Sequence, residues 1–249
     1  MAPGATGLPP LAMENRRTTR FLCLHDVAGD AGAVTQALDE CQGQGRSIDA
    51  IAVIGDLAGP GAPRTGYRAV FHALGESGLP AYWVPGQADA PVVGYLREAY
   101  NVEIVFPLLH GVHGTAAFTP DGHLVVAGMG GLLDDDPDAN RDEVAELRYP
   151  RWEPEYRLKV LRELGEHQLM MLSWTAPAHK GHGGAGSEAL AELVNTFRPR
   201  LLVCGGPPLA EMLGKCLVLS PGALSDGSYA IADLHAREVE HATLGAAVR

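Results

Sequence analysis

Basic side chains are scarce in this 249-residue chain: 19 Lys and Arg stand against 30 Asp and Glu, for a formal net charge of -11. Phosphate backbones and anionic bilayers are held by Lys/Arg patches, and no dense basic run occurs. A nucleic-acid or membrane-surface role is therefore not expected. Cysteine is also rare. Cys23, Cys41, Cys204 and Cys216 form no C-x-x-C pair, so neither a disulfide framework nor a zinc knuckle is indicated. Cys23 and Cys204 sit inside apolar runs and read as buried free thiols. No apolar stretch is long enough to span a bilayer. The first 20 residues are rich in Pro, Gly and Ala and lack the apolar core of a secretory signal. Residues 1–18 read as a disordered lead-in and residues 19–249 as one domain, expected in the cytoplasm.

What is present is an ample apolar complement, 46% of the residues, which can fill a sizeable core. Apolar runs alternate with amphipathic stretches. Strands are predicted at 21–24, 48–54, 81–84, 169–172, 201–204, 217–219 and 229–234. Helices are predicted at 31–42, 67–74, 91–99, 152–167 and 187–197. The alternation argues for a mostly parallel α/β sheet. The middle of the chain differs. Residues 102–106, 116–118 and 124–127 read as short strands with antiparallel pairing, and 132–140 as an acidic, solvated loop. Glu155 and Lys159 are placed to support the helix at 152–167 as an i,i+4 pair.

Five loops follow apolar runs: Leu24-His25-Asp26-Val27-Ala28-Gly29, Ile54-Gly55-Asp56-Leu57, Val84-Pro85-Gly86-Gln87-Ala88-Asp89, Ser173-Trp174-Thr175-Ala176-Pro177 and Val203-Cys204-Gly205-Gly206-Pro207-Pro208. Their order and spacing resemble the calcineurin-like metallophosphoesterases, whose corresponding motifs are Asp-x-His, Gly-Asp, Gly-Asn-His, a lone His and Gly-His-x-His. Ser220-Pro221-Gly222-Ala223-Leu224 is similar to that family's closing turn. The resemblance spans residues 20–240 and looks most like a divergent subgroup with eroded metal motifs. It implies an α/β fold, a four-layer αββα sandwich with mixed sheets, and a site in loops at the C-terminal ends of strands, where open α/β sheets place their ligands. The family expectation for an active member is phosphoric ester hydrolysis.

Against that pattern only Asp26 and Asp56 remain as matching ligands. Ala28, Ala88, Thr175, Gly206 and Pro208 stand where the family has histidines, and Gln87 stands for its Asn. Two divalent ions about 4 Å apart repel by on the order of 17 kcal/mol at an effective dielectric of about 20. A bridging carboxylate and several imidazoles normally offset this. Two carboxylates and the Gln87 carbonyl are a poor site for two transition ions and suit at most one weakly held Mg²⁺ or Ca²⁺. No cofactor is otherwise expected.

Asp26 and Asp56 read equally well as ligands and as carboxylates bonded to loop N–H groups. Asp89 reads as the cap of the helix near Pro91. His25, adjacent to Asp26, points to the opposite face and reads as a satisfied, partly buried histidine. In the Gly-rich stretch after the fourth motif, His179 and His182 are candidate acid/base groups and Lys180 a candidate anion contact. An incidental surface loop is the competing reading. Gly205 and Gly206 could offer N–H groups to an anion or simply form a tight turn. His110 and His113 lack a metal spacing. Tyr149, Trp152 and Tyr156 are read first as core.

Three functions follow. The first is a pseudo-phosphoesterase that binds a small molecule, a phosphate-containing ligand or a partner, with homo-oligomerisation left open. The second is an active hydrolase with a one-metal site. The third is a metal-free biosynthetic enzyme using Asp26 or Asp56 as acid/base.

Overall fold

The computed structural model describes residues 17–59, 64–179 and 186–245. The expected disordered lead-in lies outside them except for its last two residues, of which Thr18 donates its N–H to the Asp121 carboxylate at 2.8 Å.

The chain opens with β1 (Arg20–His25), α1 (Ala31–Gly43), β2 (Ala50–Ile54), α2 (Arg64–Glu76), β3 (Ala81–Val84), α3 (Val92–Glu103) and β4 (Leu109–Gly111). The four strands pair in parallel in that order. β13 (Ser228–Asp233) and β14 (Glu238–Thr243) return antiparallel beside β1, completing a six-stranded sheet. A second six-stranded sheet has a parallel centre of β6 (Leu124–Met129), β9 (Gln168–Ser173), β10 (Leu201–Cys204) and β12 (Cys216–Ser220). β5 (Thr115–Phe118) and β11 (Leu209–Leu213) close its edges antiparallel.

Side-chain alternation explains why the two sheets stack. Phe21, Cys23, Ala50, Ala52, Ile54, Tyr82 and Val84 point one way and meet Val126, Met170, Leu172, Val203 and Leu219 of the other sheet. Leu22, Leu24, Ile51, Val53 and Trp83 point the other way, into the helical layer. With both faces covered, β2 is buried at every residue, and its sequence is an unbroken apolar run. The outer layers are α1–α3 on one side and, on the other, α4 (Glu153–Arg157) with α5 (Glu188–Phe197). This is the expected four-layer α/β sandwich with mixed sheets.

Four local expectations are corrected. Residues 102–106 are not a strand: Val102 continues the buried face of α3 set by Tyr95, Glu98 and Ala99, so helical periodicity overrides β-branched composition. Of the helix expected at 152–167 only α4 is α-helical, followed by a 3-10 segment, Leu158–Arg162. Leu158 and Leu161 are buried at a spacing of three, the period of a 3-10 helix. There Glu155 pairs with Arg162 rather than with Lys159, whose ammonium lies 4.3 Å over the Tyr156 ring. The acidic loop is anchored: β7 (Leu132–Leu133) pairs with β8 (Arg148–Tyr149), and Asp135 caps α5 through Ser187, Glu188 and Ala189. Tyr149 is buried as expected, but Trp152 and Tyr156 are exposed and meet edge to face.

Candidate functional site

The five loops converge at the C-terminal ends of the parallel strands and are knitted together by main-chain bonds. Asp26 donates its N–H to the Gly55 carbonyl, Ala28 to that of Asp56, and Gly29 to that of Leu57. Gly55 donates to Val84, and Gly205 to Ser173 and Trp174. Three non-glycine residues with left-handed backbone lie in the first two loops: Asp26 (φ 51°), Ala28 (φ 51°) and Asp56 (φ 42°). Such angles cost energy for residues bearing a Cβ and persist where the surroundings enforce them. They turn the chain sharply off each strand, which brings Asp26 and Asp56 to the same edge. The loop backbone of the candidate site is therefore present.

The side chains on that backbone are engaged with one another. Asp56 accepts the Ala88 N–H on Oδ1 at 2.8 Å and the Trp174 indole N–H on Oδ2 at 3.0 Å. Burial raises its pKa above the ordinary carboxylate range despite these two donors, and Asp26 adds to the rise. Asp26 accepts the Ser225 hydroxyl at 2.7 Å. Gly86 packs so closely on the Asp56 carboxylate that a Cβ there would overlap it, and Gly55 lies in the same way beneath the Trp174 ring. The Trp174 indole thus fills space over the second loop.

Asp89 does not cap α3, in contrast to the sequence expectation. It is fully buried and accepts N–H bonds from Leu57 (2.9 Å), Ala58 (3.3 Å) and Gly86 (2.7 Å), tying the second loop to the third. Burial pushes its pKa up to about 6, against those donors. Thr175 accepts the Leu133 N–H at 2.9 Å and donates to the Gly131 carbonyl at 3.0 Å, so it locks a turn.

His25 is largely buried. Its Nδ1 has no partner, so it is not the fully satisfied histidine expected, and burial lowers its pKa against the pull of Asp26 and Asp56. His110 stacks on Tyr82. His113 accepts the Gly130 N–H at Nδ1 and meets the Tyr149 hydroxyl at 2.9 Å. Burial lowers its pKa to about 3, so it is a neutral structural imidazole. His179 lies 3.3 Å from the Glu211 carboxylate on β11. Lys180 and His182 lie outside the described residues. Gln87 is half-buried in the third loop beside Ala88. The Gly205 N–H serves main-chain carbonyls, and the Gly206 carbonyl accepts the Ser220 hydroxyl at 2.6 Å.

Asp26, Asp56 and Gln87 therefore share one edge of the fold. Sequence reasoning missed Trp174 and Ser225 as their partners. The one signal available was the position of Trp174 inside the fourth motif. Among the described residues, no three His, Cys, Asp or Glu side chains form a group able to hold a metal ion. The described donors do not fit a two-metal centre. Clefts of about 480 and 530 Å³ lie away from these loops. The first is lined by Leu38, Cys41, Arg46 and Ile48, the second by Leu161, Arg162, Phe197 and Arg200.

Comparison with known proteins gives a consistent picture. The Thermus thermophilus protein TT1561 is 40% identical, with a TM-score of 0.86, covering 92% of this chain and 100% of that one. A structure described as a novel archaeal phosphodiesterase shares the fold at 9% identity and a TM-score of 0.51, covering 90% and 99%. No curated protein matches. The family described as metallophosphoesterase, calcineurin superfamily, matches residues 13–244. The loop order, the paired six-stranded sheets and this match over nearly the whole sequence place the chain in the calcineurin superfamily of metallophosphoesterases.

Proposed function

We propose that the chain is a pseudo-phosphoesterase. It keeps the fold and the loop backbone, and it binds a small phosphate-containing molecule or a partner in the cytoplasm without hydrolysing a phosphoester. The observation that carries this reading is the state of Asp56. A bridging carboxylate must turn its oxygens toward two cations, and here both oxygens accept N–H groups of Ala88 and Trp174. These N–H groups take two of the roughly four lone-pair sites of the carboxylate, and Ala28, Ala88, Thr175, Gly206 and Pro208 stand where further ligands would be needed. At most one weakly held divalent cation, using Asp26 and Gln87, fits the remaining oxygens.

The test is metal content of untagged protein grown with added Mn and Fe, together with turnover of a chromogenic phosphodiester in excess Mn²⁺. Sub-stoichiometric transition metal and no turnover are expected. A full complement of metal with steady turnover would overturn the proposal.

A second reading is supported by the raised pKa of Asp56, half-buried beside Asp26. A carboxyl whose pKa burial raises is suited to metal-free acid/base chemistry. On that reading the Asp56→Asn variant loses the native activity while keeping its melting temperature. Activity that survives in Asp56→Asn would remove it.

A further inference from the structure

The outer face of α3 is apolar and open. Val93, Leu96 and Tyr100 on the helix, and Ile104 and Val105 in the turn that ends it, are 59, 54, 67, 67 and 65% exposed. At 100° per residue, Val93, Leu96, Tyr100 and Ile104 form a single stripe, opposite the buried face of Tyr95, Glu98, Ala99 and Val102. Val144, 75% exposed, follows Glu143, whose carbonyl accepts the Val92 N–H at the start of the helix. These six residues are more than half of the eleven large apolar side chains that the described surface exposes, so exposure is concentrated here rather than scattered. Single exposed apolar residues need no explanation, but a contiguous group of this size does.

Charge indicates what covers it. The chain carries a net charge of -11, yet the exposed charged side chain within the stripe is Arg97. Glu98 is turned inward to Arg68, and Glu103 accepts the Gly111 N–H. Two like-charged molecules meet with least repulsion where neither presents carboxylates.

We infer that α3 is a self-association face, on which a second copy of this chain packs through the same stripe about a two-fold axis. A two-fold contact requires a surface complementary to itself, and an apolar helical stripe crossing its copy antiparallel meets that condition. The exposed apolar area is on the order of 500 Å², as large as the largest patch of a typical monomer, a size that is often functional. With Arg97 and Asn101 as a polar rim, it approaches the roughly 800 Å² per partner of a stable interface.

The test is the mass of the full chain by light scattering and sedimentation across the micromolar range. It compares wild type with Leu96→Glu/Tyr100→Glu and with the uncharged Leu96→Ser/Tyr100→Ser. Both positions are exposed, and far-UV circular dichroism checks that each variant is folded. A dimeric wild type and monomeric variants of both kinds are expected. A monomeric wild type overturns the inference. So does a dimer that survives both substitutions, or one that dissociates only when carboxylates are introduced.

Discussion

At the scale of single residues, Asp89 does more for the site than either aspartate the motifs pick out. It is fully buried and holds three loop N–H groups. Asp89→Ala would leave those donors without an acceptor, and unsatisfied buried groups cost roughly 1–3 kcal/mol each, partly offset by removal of a desolvated carboxyl. We expect a net loss of about 3 kcal/mol in urea denaturation; a loss within experimental error would mean the loops hold without it. The pH dependence has an unusual sign for a carboxylate. The folded pKa, about 6, lies above the ordinary 3.8, so the folded protein binds this proton more tightly than the unfolded one. The resulting stability is fully present below pH 3.8 and is lost as pH rises through about 6. Wild-type stability relative to Asp89→Asn should therefore decline across that window, and parallel pH profiles would refute the assignment. Asp26 and Asp56 were legible because their motif positions carry them. Asp89, Trp174 and Ser225 were not, because each bonds a loop far away in sequence, and only the folded approach of the strands selects those partners.

At the scale of elements, legibility followed burial. Strands covered on both faces, β1, β2, β3, β9 and β10, are continuous apolar runs and were read from the sequence with nearly their observed ends. The edge strands β11 and β14 were not, because Leu-Ala-Glu-Met-Leu and Glu-Val-Glu-His-Ala-Thr alternate apolar with charged or small residues and never form such a run. β4 was hidden differently. Its three residues follow a β-branched stretch that ends α3 and forms the turn after it, so the apparent strand fell a few residues too early. The acidic loop shows how an element is completed from outside itself. α5 begins at Ser187, whose hydroxyl accepts the Leu190 N–H, but the Glu188 and Ala189 N–H groups are met by Asp135, more than fifty residues away. Burial opposes the charge of Asp135. Those donors and the Ser187 hydroxyl outweigh it and hold its carboxyl below the ordinary range, as a carboxylate at a helix N-terminus should be. Asp135→Ala should lower stability by about 1 kcal/mol, the low end for a cap because the site is partly solvated. Amide exchange should quicken in the first turn of α5 and in the 132–140 loop together. Quickening in the helix alone would show that the loop is held by β7 and β8 instead.

At the scale of the molecule, the two sheets share one inner layer, and that layer has almost no slack. Gly128 in β6 faces Val84 in β3 of the opposite sheet. A Cβ at Gly128 would lie 2.6 Å from Val84 Cγ1 and 2.7 Å from the Leu172 carbonyl oxygen of the neighbouring strand. One contact is across the sandwich and the other is along the sheet, so neither sheet can yield without moving the other. The same stacking sets the site. Val84 leads directly into the Gly86 turn and Leu172 into Ser173 and Trp174, so the distance between the sheets fixes how the Trp174 indole meets Asp56. Gly128→Ala should therefore do two things at once. Overpacking of a filled core costs about 1–3 kcal/mol, and the displacement should be transmitted to the Trp174–Asp56 bond. Because a single packed layer joins both sheets, the whole chain should unfold in one transition, as expected of one domain. Far-UV circular dichroism and tryptophan fluorescence should give coincident urea curves in wild type, and in Gly128→Ala both should move to lower urea by the same amount. Separate midpoints, in either protein, would mean that the sheets are held independently and that the inner layer does not couple the site to the rest of the fold.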